Sequence, residues 1–478
     1  MIWKRKKLTL DLLAYAVGAA AQALMTPVTM LVVTNFLAPR EYGQFALFVA
    51  AISFSSVVGS QWLQQAITRY VPGEEELTRA RELNGAIALG LLIVLNFVGL
   101  CCAAIWISYE PLKLEVVAVY RWPFLLGSCG MALWSCILVL KQARFNAVGY
   151  NLLKVGTTAT LLIFFLLCRS STKGSLSAII IAQISAYSWP ILVGCRGEGF
   201  RDGLRLRKKV LLRKVWTLIK YGLPITVWFL FYTVLNSSDK FFIEHFQGAH
   251  YVGIYAANAT LALGLVSLIA TPVIMTLHPL LMKAWDAGQH GMVNVVINEA
   301  INLVLMTGVF IIAMVEMTKE YWLKRLLNEA YVAGGNAIPV LVLAGVLWQV
   351  GSYCHKVLEF RQKTGYMAII LGGCVIVSLI FDRLFVPIGG YLAAAWGLVV
   401  GNFLYVFSTA ALGERFEKKV RIRVNGYRLL VMLGLAAFAI LLKDRAALAW
   451  FVMLGLAWLY CLWTWERFTV LRAVGTPT

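Results

Sequence analysis

The chain has 478 residues, of which 60% are hydrophobic and 14% charged, and its mean hydropathy is +0.77. A soluble domain is about half apolar and about a quarter charged. The composition therefore excludes a water-soluble, disordered or collagen-like protein and places most of the chain in a lipid bilayer. The net charge of +20 would suggest nucleic acid in a soluble protein; here it concerns the side of the membrane on which the cations lie, and no nucleic-acid partner is expected.

Fourteen stretches of the sequence are apolar and long enough to span a membrane, which takes about 20 residues. The basic N-terminal residues lead into the first stretch without a small-residue cleavage site, so we expect a retained helix and not a signal peptide. The predicted fold class is an all-α polytopic membrane protein with about 14 transmembrane helices. The stretches are 9–36, 43–66, 83–109, 116–140, 147–168, 174–194, 215–245, 250–282, 292–316, 336–358, 366–386, 390–412, 427–443 and 447–466.

The positive charges predict the orientation, because cytoplasmic loops carry an excess of Lys and Arg. With the N-terminus in the cytoplasm, 31 of the 43 Lys and Arg lie on the cytoplasmic side and 12 on the other. An even number of spans then places the C-terminus in the cytoplasm as well. The richest basic stretch runs from Arg196 to Lys220, and the next runs from Arg415 to Arg428.

The first basic stretch divides the first twelve spans into two sets of six. We predict an N-terminal lobe at 1–195, a basic cytoplasmic linker at 196–214, a second lobe at 215–412 and two additional transmembrane helices at 413–478. The part from Arg201 to Trp216 is basic and amphipathic. It is either a helix on the inner leaflet, in contact with anionic membrane lipids, or a solvated loop.

A short repeat supports this division. The segments Phe36–Ala46 and Phe246–Ala256 align at an offset of 210 residues, which pairs Gly43 with Gly253 and Phe45 with Tyr255. Each segment joins one span to the next, and its glycine suits two helices that begin close together. Both lobes enter the membrane in the same sense, so the sequence predicts a parallel repeat of the type that builds a central cavity.

Four stretches resemble the polysaccharide-transport branch of the multidrug/oligosaccharidyl-lipid/polysaccharide exporter superfamily. The first is Phe36–Phe45, although Ala38 stands where the family usually has glycine. The others are Tyr221–Lys240, Gly253–Ala256 and Val386–Ala395. The resemblance covers the first twelve spans in the same order along the chain.

The resemblance implies two six-helix bundles around a cavity that opens alternately to each side of a bacterial inner membrane. The implied cargo is an oligosaccharide linked to undecaprenyl pyrophosphate, for surface polysaccharide biosynthesis. Its sugar head would cross through the cavity while the polyprenyl tail stays in lipid. The expected partners are this lipid-linked oligosaccharide and membrane lipids, and a polysaccharide polymerase or another assembly protein is a further candidate. A transporter, and not an enzyme, is expected.

A cargo that carries pyrophosphate needs cations, because an anion that leaves water must be paired. Four basic residues lie near the predicted cytoplasmic ends of spans. They either form a basic vestibule for the pyrophosphate or act as anchors whose side chains reach the interface. These residues are Arg69, Arg144, Lys154 and Lys220.

Polar residues also follow one face of each of the first two spans. Gln61, Gln65 and Arg69 are spaced by four on the second span, and Gln22 lies on a stripe of the first span that begins at Asp11. Polar faces of this length do not suit lipid, so we expect them to face water or the opposite lobe and to contact substrate. Asp11 either serves ion coupling or complements the positive N-terminus of its helix.

The ninth span contains Asn298 and Asn302, four residues apart, with Glu299 beside them. A carboxylate inside a membrane helix is energetically unfavourable and indicates a function. We predict that the amides bind sugar hydroxyls and that Glu299 serves proton or sodium coupling; a structural hydrogen bond between helices is the alternative. Asp239, near the outer end of the seventh span, has the same two interpretations.

The remaining motifs bear on the alternatives. The nine cysteines form no C-x-x-C pair, the five histidines have no metal-ligand spacing and no Walker phosphate loop is present, so no cofactor or metal is expected. A drug or metabolite antiporter driven by Na⁺ or H⁺ is the main alternative, and Glu299 supports it. A membrane polysaccharide polymerase is less favoured, because the longest predicted outer loop, Met317–Gly335, contains no acid/base arrangement.

Overall fold

The computed structural model describes residues 18, 21, 24–72, 76–108, 115–172, 176–196, 198–442 and 446–475. In these ranges the chain is nearly all helical and has no strand, which confirms the predicted all-α class. Two of the predicted site residues, Asp11 and Gln22, lie outside the described residues.

The helices follow one another with short connections. Their bounds are α1 Leu24–Thr34, α2 Pro39–Tyr70, α3 Leu77–Ile107, α4 Glu115–Val119, α5 Arg121–Ala143, α6 Ala147–Thr172, α7 Leu176–Gly194, α8 Phe200–Leu204, α9 Lys208–Leu235, α10 Ser238–Gln247, α11 Ala249–Asp286, α12 His290–Leu326, α13 Glu329–Val332, α14 Ile338–Cys354, α15 Lys356–Phe360, α16 Thr364–Phe416, α17 Gly426–Leu441 and α18 Ala446–Gly475, with a 3₁₀ turn at Ala333–Ala337.

The number of spans agrees with the sequence prediction. Among the described residues, ten helical stretches are long and apolar enough to cross a membrane, and three shorter apolar helices accompany them. The longest stretch, α16, contains two predicted spans separated at Gly390, which has φ 60° and ψ −148°. Only glycine readily adopts this conformation. With α16 counted as two spans, the total is fourteen.

The predicted amphipathic linker is a helix only in part. The short α8 ends at Leu204, and α9 begins at Lys208 and continues without interruption into the seventh predicted span. Trp216 lies exposed on this helix. The basic part of the linker is therefore the N-terminal extension of a spanning helix and not a separate element.

Residue contacts divide the chain into two compact units, Met1–Ala256 and Ala257–Thr478. This division places α9, which the sequence analysis assigned to the second lobe, in the first unit. The lobe boundaries at 195 and 215 stay a prediction, because contacts in one conformation do not define which helices move together.

The first unit is built around α2, which packs against α3, α5 and α9. Small residues allow these close approaches, as is typical of helices in membranes. A Cβ at Gly59 would overlap the side chain of Val98, and one at Gly222 would overlap the carbonyl oxygen of Trp62. Ser55 donates a hydrogen bond of 2.9 Å to the Ser128 hydroxyl.

The second unit joins α12 to α14 and to the C-terminal pair α17–α18, and α14 to α16. Asn402 of α16 donates to the Ala344 carbonyl of α14 at 3.0 Å. The C-terminal pair packs on α12 through an apolar cluster that includes Met306, Met432 and Met453. The two additional helices are therefore docked on the ninth span.

Candidate functional site

The repeated segments meet in a reciprocal contact. A Cβ at Gly43 would overlap the carbonyl oxygen of Ala249, and a Cβ at Gly253 would overlap that of Pro39. The offset of 210 residues that relates the two sequences also relates these two contacts. The beginnings of α2 and α11 therefore cross backbone to backbone, and glycine is required on both helices.

The polar face of α2 is buried inside the first unit. Gln61 and Ser60 are buried, and Gln65 is partly buried. Gln64 Nε2 donates to Ser60 Oγ at 2.8 Å. We expected this face to meet water or the opposite lobe. The burial of this face decreases from Gln61 to Arg69, which is exposed, and α2 packs on α9, a helix that the sequence assigned to the second lobe.

Arg69 and Lys220 lie at the same end of the α2–α9 pair. Each immediately precedes a tyrosine, and the rings of Tyr70 and Tyr221 meet edge to face with centroids 5.5 Å apart. Both cations are exposed. Within the described parts of the chain neither forms an ion pair.

Arg144 lies in a compact ion cluster. Its guanidinium and the Lys141 ammonium both bond the carboxylate of Glu198, which is only 4% exposed, and Arg144 also donates to Asn84 Oδ1 at 2.7 Å. The carboxylate neutralises one of the two cations. Arg144 therefore already has an anionic partner, and the cluster ties the end of α5 to α3 and to the segment before α8.

Two glycines allow α3 and α8 to approach each other closely beside this ion cluster. A Cβ at Gly85 of α3 would lie 2.6 Å from the carbonyl carbon of Gly203 in α8, and Asn84 and Gly85 are consecutive. This backbone contact and the ion cluster of Glu198 therefore hold α8 against the beginning of α3.

Lys154 lies apart from these groups. Its ammonium donates to the Tyr150 hydroxyl at 3.1 Å, one turn earlier on α6, and lies 5.3 Å from the centre of that ring. The structure therefore brings Arg69 and Lys220 to one helix pair but gives Lys154 only a local partner.

Asp239 is buried at the beginning of α10 with two partners. The Tyr255 hydroxyl donates to it at 2.6 Å, and the Lys240 ammonium lies 3.3 Å away. Tyr255 belongs to the second copy of the repeat. A structural connection from α10 to the repeat is therefore the interpretation of Asp239 that these contacts favour over ion coupling.

The asparagines of α12 bind the backbone of the segment between α16 and α17. Asn294 Oδ1 accepts from the Arg421 N–H at 2.8 Å. Asn298 donates to the Arg421 carbonyl at 2.8 Å and accepts from the Arg423 N–H at 2.6 Å. The amide of Asn298 is thus engaged on both sides.

Asn302 continues the pattern, with its amide donating to the Arg423 carbonyl at 3.4 Å and accepting from the Asn425 N–H at 2.7 Å. Residues four apart on a helix rise by about 6 Å, and alternate residues of an extended chain are about 6.6 Å apart. This match explains the spacing of the asparagines. We call Asn294, Asn298 and Asn302 the asparagine ladder; its contacts favour the structural alternative over sugar binding, with a backbone segment and not a second helix as the partner.

Glu299 forms an ion pair with Arg467 of α18, and both side chains are largely buried. Nearby, the Thr307 and Tyr460 hydroxyls are 3.0 Å apart and the rings of Phe310 and Tyr460 stack. The position of a carboxylate inside a membrane helix was the reason to assign ion coupling to Glu299. Its pairing with Arg467 instead favours a role in docking α18 on α12.

Sequence reasoning missed Glu198, Asn84 and the tyrosine pair. Glu198 had a signal, since it and Asp202 are the two acidic residues in the basic stretch from Arg196 to Lys220. Tyr70 and Tyr221 had none, because nothing in the sequence relates α2 to α9. Among the described residues no group of histidine, cysteine and acidic side chains has the arrangement of a metal site.

The fold is similar to that of solved flippase and transporter structures. The structure of the lipid II flippase MurJ in an inward closed conformation matches with a TM-score of 0.71 at 10% identity, covering 96% of this chain and 99% of that one. An inward-facing multidrug resistance MATE family transporter of the MOP superfamily matches with 0.63 at 14% identity, covering 83% and 95%. The eukaryotic MATE transporter AtDTX14 matches with 0.58 at 12% identity, covering 88% and 98%.

The chain belongs to the polysaccharide biosynthesis protein family, whose model matches residues 9–285, more than half of the sequence. This is the family that the four sequence stretches indicated. No curated protein sequence matches the chain.

Proposed function

We propose that this protein moves an oligosaccharide linked to undecaprenyl pyrophosphate across a bacterial inner membrane by alternating access, for surface polysaccharide assembly. The family is one of polysaccharide biosynthesis proteins, and the lipid II flippase has the same fold across nearly the whole chain. Lipid-linked oligosaccharides and lipid II share a diphosphate carried on a polyprenyl tail, so proteins of one fold can bind both kinds of cargo in a similar cavity.

The observation that carries the proposal is the cation pair Arg69 and Lys220. The two side chains lie at the predicted cytoplasmic end of α2 and α9, and among the described residues no carboxylate forms an ion pair with either, whereas Glu198 already pairs with Arg144. A pyrophosphate that leaves the headgroup region needs such partners, because charge-assisted hydrogen bonds to phosphate replace those to water.

The contacts of α2 also suggest how the cargo is admitted. The Tyr70–Tyr221 contact and the close approach of Gly222 to Trp62 hold α2 on α9. Separation of the two helices would open the end that carries Arg69 and Lys220 and expose the polar face of α2. The amides of Gln61, which is buried, and of Gln65, which is partly buried, would then be available to sugar hydroxyls.

The ion-coupled antiporter is less well supported. That alternative rested on Glu299, which is paired with Arg467. The flippase proposal relies instead on Arg69 and Lys220.

The test is the double charge reversal Arg69→Glu, Lys220→Glu in the native host. Loss of two charge-assisted contacts should reduce surface polysaccharide by about tenfold or more, with lipid-linked oligosaccharide accumulating on the cytoplasmic side. The control is Lys208→Glu, Lys209→Glu, which makes the same charge change at exposed positions of α9. Normal export by the first variant at a normal protein level would show that the cation pair does not receive the cargo.

A further inference from the structure

The connection between α16 and α17 presents a row of exposed cations. Residues 418–423, which we call the basic segment, contain Lys418, Lys419, Arg421 and Arg423, and all four side chains are exposed. Within the described parts of the chain none of them forms an ion pair. The segment therefore offers positive charge to something outside the protein.

The acidic groups of this region are turned inward. Glu414 accepts a hydrogen bond from the Ile422 N–H at 3.0 Å, and the buried Glu417 is bonded by the Arg361 guanidinium and by the Lys419 N–H. Burial alone would raise the pKa of the Glu417 carboxyl, but these hydrogen bonds stabilise its charged form and hold the pKa below the usual value. Both carboxylates hold the chain in place, so the outer surface of the basic segment remains cationic.

The asparagine ladder fixes the backbone that carries the two arginines. It bonds the N–H and carbonyl groups of Arg421 and Arg423, which are alternate residues of an extended chain. Side chains of alternate residues point to the same side, with origins about 6.6 Å apart. Two guanidinium groups at that spacing reach the oxygens of one phosphate, and guanidinium suits phosphate recognition by two parallel hydrogen bonds.

The position of the basic segment is that of a membrane surface. It lies between Phe416, the last residue of α16, and Gly426, the first of α17, and both helices are apolar. Val424, directly after it, is exposed, and Tyr427, four residues after its end, is 76% exposed. Cations followed at once by exposed aromatic and aliphatic side chains are typical of the boundary between headgroups and acyl chains.

We propose that the basic segment is a binding site for an anionic phospholipid headgroup, in which Arg421 and Arg423 bind one phosphate and the asparagine ladder sets their spacing. The site would anchor the C-terminal pair α17–α18 to the membrane surface. This inference does not depend on the proposed function.

The experiment measures lipids retained by the purified full-length protein in native mass spectrometry, with phosphatidylglycerol as the anionic probe and phosphatidylcholine as the zwitterionic one. Arg421→Gln, Arg423→Gln should weaken phosphatidylglycerol binding by about tenfold, because each basic residue at the surface contributes to the attraction. Binding of phosphatidylcholine should not change.

Two further variants separate a built site from general attraction. Lys418→Gln, Lys419→Gln removes the same charge from the same segment and should weaken binding by less than about threefold. Asn298→Leu keeps every cation but releases the backbone of both arginines, and it should also weaken phosphatidylglycerol binding.

Equal effects of the two double variants would overturn the proposal in favour of diffuse attraction. Unchanged binding in a folded Asn298→Leu protein would overturn the role of the ladder. Displacement of phosphatidylglycerol by millimolar inorganic phosphate would show that the site takes phosphate from solution and not from the membrane. Because Arg421 and Arg423 are exposed, their variant tests the proposal even where Asn298→Leu does not fold.

Discussion

Glu198 determines the electrostatic character of the cluster around Arg144. One buried carboxylate accepts bonds from both Lys141 and Arg144, so the cluster carries one net positive charge and not two. A carboxylate with two cationic partners is stable in a buried position, whereas two adjacent cations without it would repel each other. Of the four basic residues predicted to form a vestibule, Arg144 is therefore the one that pairs with a described carboxylate.

We expect Glu198→Gln to lower the stability of the protein by about 1–3 kcal/mol, because it leaves two cations without their charged partner. The measurement is the apparent melting temperature in detergent. The control is Asp202→Asn in the same segment, whose pair with Arg205 at 3.8 Å is largely exposed and should contribute less than about 1 kcal/mol. Equal shifts for the two variants would contradict a structural role for the buried carboxylate.

The sequence did not distinguish Arg144 from Arg69. Both are basic residues at the predicted cytoplasmic end of a span, and both were candidates for the same vestibule. What separates them is Glu198, which lies 54 residues beyond Arg144 in the chain and reaches it only when the segment before α8 folds back. A partner at that sequence distance leaves no local pattern.

At the scale of elements, the contact between the two repeat segments shows why the glycines are paired. Each helix has a glycine where the other presents a carbonyl oxygen, and a Cβ at Gly43 would also lie 2.8 Å from the Gly253 nitrogen. A backbone atom cannot move aside as a flexible side chain does. The beginnings of α2 and α11 would therefore have to separate to accept any larger residue.

We expect Gly43→Ala and Gly253→Ala each to destabilise the protein by about 2 kcal/mol or more, since overpacking forces the backbones apart. The double variant should be less destabilising than two independent changes, because either alanine already opens the shared contact. Thermal unfolding of the single and double variants measures this. Gly99→Ala is the control, since that position of α3 has open space around it; full additivity of the first two changes would contradict a shared contact.

The polar face of α12 that carries the asparagine ladder was predictable from the sequence, but the segment that binds this face was not. The spacing of four residues correctly indicated one polar face of α12, because helical periodicity is a local property. The partner of that face was not predictable, since an extended segment more than 120 residues away binds through its backbone and leaves no side-chain signature. The division of α16 at Gly390 agrees with the boundary between the predicted spans 366–386 and 390–412, which follows from local hydropathy.

At the scale of the whole molecule, hydropathy predicted more of the structure than the candidate site residues did. The fourteen apolar stretches agree with the helices, because the length and composition of a span follow from the thickness of the bilayer. Which polar residues line a cavity depends instead on how α2, α9 and α11 pack in a given conformation. Here the contacts of Gly43 with Ala249 and of Tyr70 with Tyr221 show α2 held at both of its ends.

The orientation of the chain is the remaining prediction at this scale, and it assigns the cation pair and the basic segment to the cytoplasm. We expect Lys209→Cys at the beginning of α9 to react with a membrane-impermeant maleimide only after the inner membrane is opened. Glu329→Cys, in the connection after α12, should react in cells whose inner membrane is intact. Both positions are exposed, and the parent protein with its nine cysteines gives the background.

The expected difference in labelling follows from the excess of Lys and Arg on one side of the spans. The opposite labelling pattern would place the cation pair on the outer surface, where it would meet the cargo at release and not at entry.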